Sequence, residues 1–211
     1  KASLMRDLYS RSEAVLGGAA PSEVSTLAVA AAKQVSREAL ADWDEDRFEA
    51  HARGKTLGYH QDAAYDDWII PQTMMTCWMS LDDTKIETGT LEYVKGSHKW
   101  GLQPPRGEFH SPEDYREQLK IFAKKNNKDL DIVYVEVPAG GVAFHHGYMW
   151  HGSGINTSGK HRRAIVSHCV PSDAKFHPTN NGGTAKTYKK YKKEDSDQLP
   201  DEFFPLLWER N

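Results

Sequence analysis

The run Thr73-Met74-Met75-Thr76-Cys77-Trp78-Met79-Ser80-Leu81 decides the fold class. Successive side chains of a strand point to opposite faces, so Thr73, Met75, Cys77, Met79 and Leu81 share one face and Met74, Thr76, Trp78 and Ser80 the other. The first face is mostly apolar and is expected to pack between layers. The second mixes a large aromatic with hydroxyls, as the lining of a binding cavity would. Further strands are expected at Thr90–Val94, Ile132–Val137, Gly141–His146 and Arg163–Val170, with glycine and proline at the joints. Several short strands with turn signals between them predict a mainly β fold with flanking helices, a double-stranded β-helix of the jelly-roll, cupin-like kind.

Outward from this core the chain changes character. Residues 1–55 read as mainly helical, with Pro21-Ser22-Glu23 as a start and Val24, Leu27, Ala28, Ala31 and Val35 along one face. The jelly-roll core is expected over residues 56–170. It carries a helical insertion near residues 111–125, where Ser111-Pro112-Glu113-Asp114 reads as an N-terminal cap continued by Tyr115–Lys125. Residues 171–211 form a C-terminal extension, and the whole is expected to be one domain. Its Lys186–Lys193 run interleaves lysines with Tyr188 and Tyr191, but Glu194, Asp195 and Asp197 follow at once, so a solvated surface segment is expected.

Composition narrows the function classes. Net charge is −3, with 27 basic against 30 acidic residues, which gives no long-range attraction for nucleic acid or anionic lipid. No apolar run is long enough to span a membrane, so neither nucleic acid nor membrane is expected as a partner. The two cysteines, Cys77 and Cys169, are too few for a disulfide framework and read as reduced thiols of a cytoplasmic protein. Lys1 is not a natural start residue, so an N-terminal address is expected to have been lost upstream.

Tyr59-His60-Gln61-Asp62 is the first cluster with metal chemistry. On an extended backbone residues i and i+2 project to one side, so an imidazole and a carboxylate can reach one ion. His145, His146 and His151 offer a third ligand. His151 is favoured because Arg162 follows eleven residues later (162 − 151 = 11), after the turn-like run Asn156-Thr157-Ser158-Gly159-Lys160. If that run closes a hairpin, His151 and Arg162 lie opposite each other on paired strands, and Ser153 shares the His151 side. Two histidines and one carboxylate leave coordination positions open for a 2-oxo acid and dioxygen. An arginine fork suits the remote carboxylate of such a cosubstrate.

With these blocks in order, the sequence resembles the phytanoyl-CoA dioxygenase family of Fe(II)/2-oxoglutarate oxygenases over about Thr56–Val170. The first block is His60-Gln61-Asp62 with Ala63-Ala64-Tyr65. The second is Trp78-Met79-Ser80-Leu81-Asp82-Asp83 leading to Gly89-Thr90-Leu91 and Gly96-Ser97-His98-Lys99. The third is His151-Gly152-Ser153 through Asn156, Ser158 and Arg162-Arg163. The resemblance implies that His60, Asp62 and His151 hold Fe(II), that Arg162 and Ser153 bind 2-oxoglutarate, and that Trp78 lines the cosubstrate pocket. It also implies a reaction that oxidises 2-oxoglutarate to succinate and CO2 while hydroxylating an unactivated C–H bond of a small molecule with dioxygen. Lys95 stands where many members carry proline, and Thr88 where an asparagine is usual; neither position belongs to the implied iron site. Halogenating relatives replace the carboxylate ligand with a small residue, so Asp62 favours hydroxylation.

Arg53, Lys55, Tyr59 and Gln61 lie near the first ligands in sequence and are candidate substrate contacts. Two other readings use the same histidines. A metal- and ligand-binding jelly roll acting as a sensor needs no dioxygen chemistry, and a zinc hydrolase leaves Arg162 and Ser153 without a role.

Overall fold

The computed structural model describes residues 55–105, 110–180 and 185–205. The helices expected in residues 1–54, and Arg53, lie outside the described residues. Within them the fold is mainly β. Two antiparallel sheets enclose a cavity, as the alternating patterns require.

The first sheet orders β1 (Leu57–His60), β7 (His151–Ser153), β4 (Leu91–Val94) and β5 (Ile132–Tyr134) side by side. The second orders β6 (Val142–His146), β3 (Met75–Ser80) and β8 (Ala164–Cys169). From β5 onward the chain changes sheet with every strand, which is the winding of a jelly roll. A small third sheet pairs β2 (Ile69–Ile70) with β9 (Lys175–Phe176). All five strands expected from sequence are present, each one to three residues shorter than expected.

Strand β3 carries the core. Thr76, Trp78 and Ser80 are buried and face the first sheet, and Trp78 packs with Leu91 and Tyr93 of that sheet and with Ala143 beside it on β6. Its polar neighbours are satisfied: Ser80 donates to the Asp82 carbonyl at 2.6 Å, and Thr76 to Asp62. The expectation that the Met75, Cys77, Met79 face packs between the layers is corrected. That face looks outward: Met75 is 45% exposed, and Phe144, the partner of Cys77 on β6, is 59% exposed. The face with hydroxyls takes the interior because its polar atoms have partners there. Cys77 and Cys169 are both free and half-buried on the outward side.

A second core lies behind the first sheet. Helix α1 (Glu117–Lys125) buries Leu119 and Ala123, and Leu119 packs with Tyr59, Val94 and Trp150. The expected cap at Ser111 does not start this helix. Ser111 takes a left-handed φ of 59°, and His110 bridges to Leu57, so the segment first follows β1. The Tyr115 carbonyl then accepts the Tyr59 N–H at 2.8 Å, and only beyond Arg116 does the chain turn helical. Glu92 fixes this loop from β4. Its buried carboxylate accepts from Tyr59 Oη and Tyr115 Oη, each at 2.8 Å, and pairs with Arg116 at 2.5 Å.

The C-terminal extension packs on the small sheet. Trp68, Ile69 and Phe176 form a buried cluster against which Tyr188, Tyr191 and Phe204 lie. Tyr188 stacks on Trp68 with ring centroids 4.4 Å apart. The expected solvated segment is therefore solvated on its lysine side only; its tyrosines turn inward.

Candidate metal centre

His60 closes β1 and His151 opens β7, and the two are direct partners in the ladder. The pairing contains an irregularity. Leu57 pairs with Ser153 while His60 pairs with His151, so β1 spends three steps where β7 spends two. This is a bulge. It lets Leu57 and His60, an odd number of residues apart, both line the cavity with Ser153 and His151. Gly152 faces the other way; a Cβ there would stand 2.8 Å from the Tyr59 ring and 2.9 Å from the Leu57 carbonyl. Only glycine allows β1 to lie this close.

Both imidazoles are oriented by backbone. His60 Nδ1 lies 2.8 Å from the Gly58 carbonyl, and His151 Nδ1 lies 2.9 Å from the Met149 carbonyl. A carbonyl only accepts, so Nδ1 carries the proton in each ring and Nε2 faces the cavity. Asp62 lies just past β1, in a 3-10 turn (Asp62–Tyr65) rather than on an extended strand. Its Oδ1 stands 3.2 Å from His60 Nε2 and 3.3 Å from His151 Nε2. Among the described residues these three form the group whose ligand atoms all lie within 4.8 Å of one another.

The electrostatics suit a cation. Burial alone would raise the Asp62 carboxyl, but His151 and the contacts of His145 and His60 around it hold it far below the usual carboxylate range. Burial, reinforced by His151, pulls His60 down to about 4, so its ring is neutral and its Nε2 offers a lone pair. Burial would also lower His151, but Asp62 outweighs it and lifts the ring above the ordinary histidine value. Two imidazole nitrogens and one carboxylate oxygen thus converge where a positive charge is favoured. That donor set fits a divalent metal of the iron or zinc kind.

The surrounding cavity has a volume of about 690 Å³. Trp78 and Ser153 line it, 4% and 2% exposed. Arg162 lines it as well. Burial lowers its guanidinium, and no carboxylate among the described residues pairs with it. The hairpin expected to place Arg162 across from His151 is corrected: β7 pairs with β1 and β4, and β8 pairs with β3. Residues 154–163 cross between sheets, so His151 and Arg162 meet across the cavity instead of along a ladder. Arg163, the adjacent cation, is held by Asp82 at 2.7 Å.

The candidate substrate contacts separate. Lys55 lines the cavity beside His110 and Ser111. Tyr59 points to the opposite side of its sheet and donates to Glu92. Gln61 is buried and spends its amide on backbone, donating to the Gly101 and Tyr148 carbonyls and accepting from Gln103 N–H. His145, absent from the expected site, lies 2.9 Å from Asp62 Oδ2. Its signal was the alternation of β6, where Ala143 and His145 share a side, but the side itself depends on pairing with β3.

Comparisons with known proteins give the chain its family. The peroxisomal phytanoyl-CoA dioxygenase of Bos taurus is 30% identical over 136 residues, which cover 60% of this chain and 36% of that protein. The phytanoyl-CoA dioxygenase of Arabidopsis thaliana is 33% identical over 120 residues, covering 54% and 38%. The chain thus spans little more than a third of the length of these curated relatives. Among solved structures, the non-heme alpha ketoglutarate dependent carbocyclase SnoK from nogalamycin biosynthesis superposes with a TM-score of 0.51 at 26% identity, covering 73% of this chain and 56% of that one. The family model for phytanoyl-CoA dioxygenase (PhyH) matches residues 12–164, reaching further toward the N-terminus than the motifs that begin near Thr56, and the chain belongs to that family.

Proposed function

We propose that this chain is the oxygenase domain of an Fe(II)/2-oxoglutarate-dependent dioxygenase. It hydroxylates an unactivated C–H bond of a small molecule and releases succinate and CO2. The observation that carries this reading is one cavity holding both halves of the requirement. His60, Asp62 and His151 present three ligand atoms in it, and Arg162, without a carboxylate partner among the described residues, lines the same space. Fe(II) bound there would activate dioxygen, which is chemistry no side chain supplies.

The protein's own residues then have separate tasks. The Gly58 and Met149 carbonyls keep both Nε2 atoms turned to the metal. Arg162 offers a planar fork for the distal carboxylate of 2-oxoglutarate, with Ser153 adding a hydroxyl. Trp78 closes the apolar side of the pocket. Lys55, at the cavity rim, contacts substrate. A zinc hydrolase would leave the half-buried Arg162 guanidinium facing the cavity without a role.

The test is to load the protein anaerobically with Fe(II), add 2-oxoglutarate, and look for a visible charge-transfer band. Exposure to air with a panel of small molecules should then release succinate. A metal-loaded protein that binds no 2-oxoglutarate would overturn the reading.

A further inference from the structure

Asp62 divides its carboxylate between the two sheets. Oδ1 faces His60 and His151 of the first sheet. Oδ2 faces the second sheet, where Thr76 Oγ1 donates to it at 2.5 Å and His145 Nε2 stands 2.9 Å away. These contacts follow from register. Thr76 on β3 pairs with His145 on β6 and with His168 on β8, so one row of the inner face carries all three residues. His168 Nδ1 lies 3.1 Å from Thr76 Oγ1.

The proton positions in this row are fixed by chemistry. An ionised carboxylate only accepts, so His145 Nε2 must carry a proton and donate to Oδ2. Its Nδ1 then accepts, and the group that faces it is Tyr93 Oη at 2.8 Å. The chain therefore runs from the Tyr93 hydroxyl through the His145 ring to the Asp62 carboxylate. His145 and Tyr93 are both buried, 5% and 9% exposed, so water does not compete for these bonds. Oδ2 already holds two donors, while Oδ1 is turned toward the two imidazole Nε2 atoms.

We propose that His145 is a positioning residue for the metal. Held by Tyr93, it commits Asp62 Oδ2 to the protein so that the carboxylate meets the ion through Oδ1 alone. The coordination position that a two-oxygen carboxylate would occupy is thereby kept for the cosubstrate. This inference rests on the metal-binding part of the function proposed above.

The test uses Co(II), whose d–d spectrum reports coordination, on the whole protein and on His145→Leu, His145→Gln and Tyr93→Phe. Circular dichroism and a thermal melt check folding of each. His145→Leu should lower Co(II) affinity by about tenfold to hundredfold, the usual effect of losing an outer-shell partner, and should alter the d–d bands. His145→Gln, whose amide N–H can still reach Oδ2, should restore the native spectrum. Tyr93→Phe frees the His145 ring to turn and should fall between the two; it carries the test if the leucine variant does not fold. Native affinity and native spectrum in folded His145→Leu, or in Tyr93→Phe should that be the folded variant, would overturn the proposal. So would a glutamine variant no better than leucine. Failure of the native protein to bind 2-oxoglutarate would instead strike the oxygenase reading and leave the Co(II) comparison intact.

Discussion

His60 stands directly opposite His151 across the β1–β7 ladder, with ring centroids 4.1 Å apart. Neither ring can be replaced by the other, because each nitrogen reaches the centre from its own strand. Either alanine substitution should therefore reduce metal affinity by more than the roughly tenfold to hundredfold typical of outer-shell changes. Co(II) titration followed by absorbance measures this directly. Asp62→Ala should abolish turnover, and normal succinate release in that variant would remove Asp62 from the ligand set.

Arg162 carries a half-buried charge that no carboxylate among the described residues pairs with. Arg162→Ala should weaken 2-oxoglutarate binding by about 2–5 kcal/mol, roughly thirtyfold to several thousandfold. Arg162→Lys should also lose affinity, because it keeps the charge but not the fork. Arg163 does not substitute, since Asp82 holds its guanidinium by two hydrogen bonds at 2.7 and 3.0 Å. Titration of the charge-transfer band in the three proteins tests the ranking.

Glu92 is 3% exposed and gathers Tyr59, Tyr115 and Arg116 around one carboxylate. Glu92→Ala leaves a guanidinium and two hydroxyls without their acceptor. Breaking such a pair from one side costs about 3–5 kcal/mol, and urea unfolding should register a loss of that order. Because the same carboxylate tethers the loop carrying His110 and Ser111, hydrogen exchange should speed up first between residues 110 and 116.

The Asp82–Arg163 pair gives a pH signature. Burial would raise the Asp82 carboxyl, but Arg163 outweighs it and holds the group below its ordinary value. A folded-state pKa below the unfolded one stabilises the fold above the unfolded value, about pH 4, and that contribution fades as pH falls through the folded value. Asp82→Asn should therefore cost about 1–2 kcal/mol near neutral pH, the figure being kept small by solvent around a half-buried pair. Below about pH 4 the two proteins should converge in chemical denaturation. A constant difference down to pH 2 would contradict this origin.

Much of the architecture was written in local alternation. The period of two from Thr73 to Leu81 separated the two faces and marked the cavity-lining one, because strand geometry depends on neighbours in sequence alone. It could not say which side the layers would bury, since that depends on whether Thr76 and Ser80 find partners, and their partners Asp62 and Asp82 lie elsewhere in the chain or beyond the strand. The ligand candidates His60, Asp62 and His151 were legible from residue type and spacing, and Arg162 from its distance to His151. The hairpin that seemed to join them was not real, because the connection from β7 to β8 changes sheet and no local signal marks that change. His145 stood only as an alternative third ligand, and Glu92 was not singled out, for a related reason. Each acts through contacts with residues from 23 to 83 positions away, and only register brings those together.

The bulge in β1 makes the centre unequally tolerant of changes in chain length. β1 already carries one residue more than β7 between the paired positions. Deleting Gly58 would regularise the ladder and leave His60 facing inward, although the carbonyl that orients its ring would be lost. Deleting Gly152 would make His151 and Ser153 adjacent, and one of them would turn outward. Losing one residue from β1 thus keeps the facing of the cavity row, whereas losing one from β7 reverses part of it.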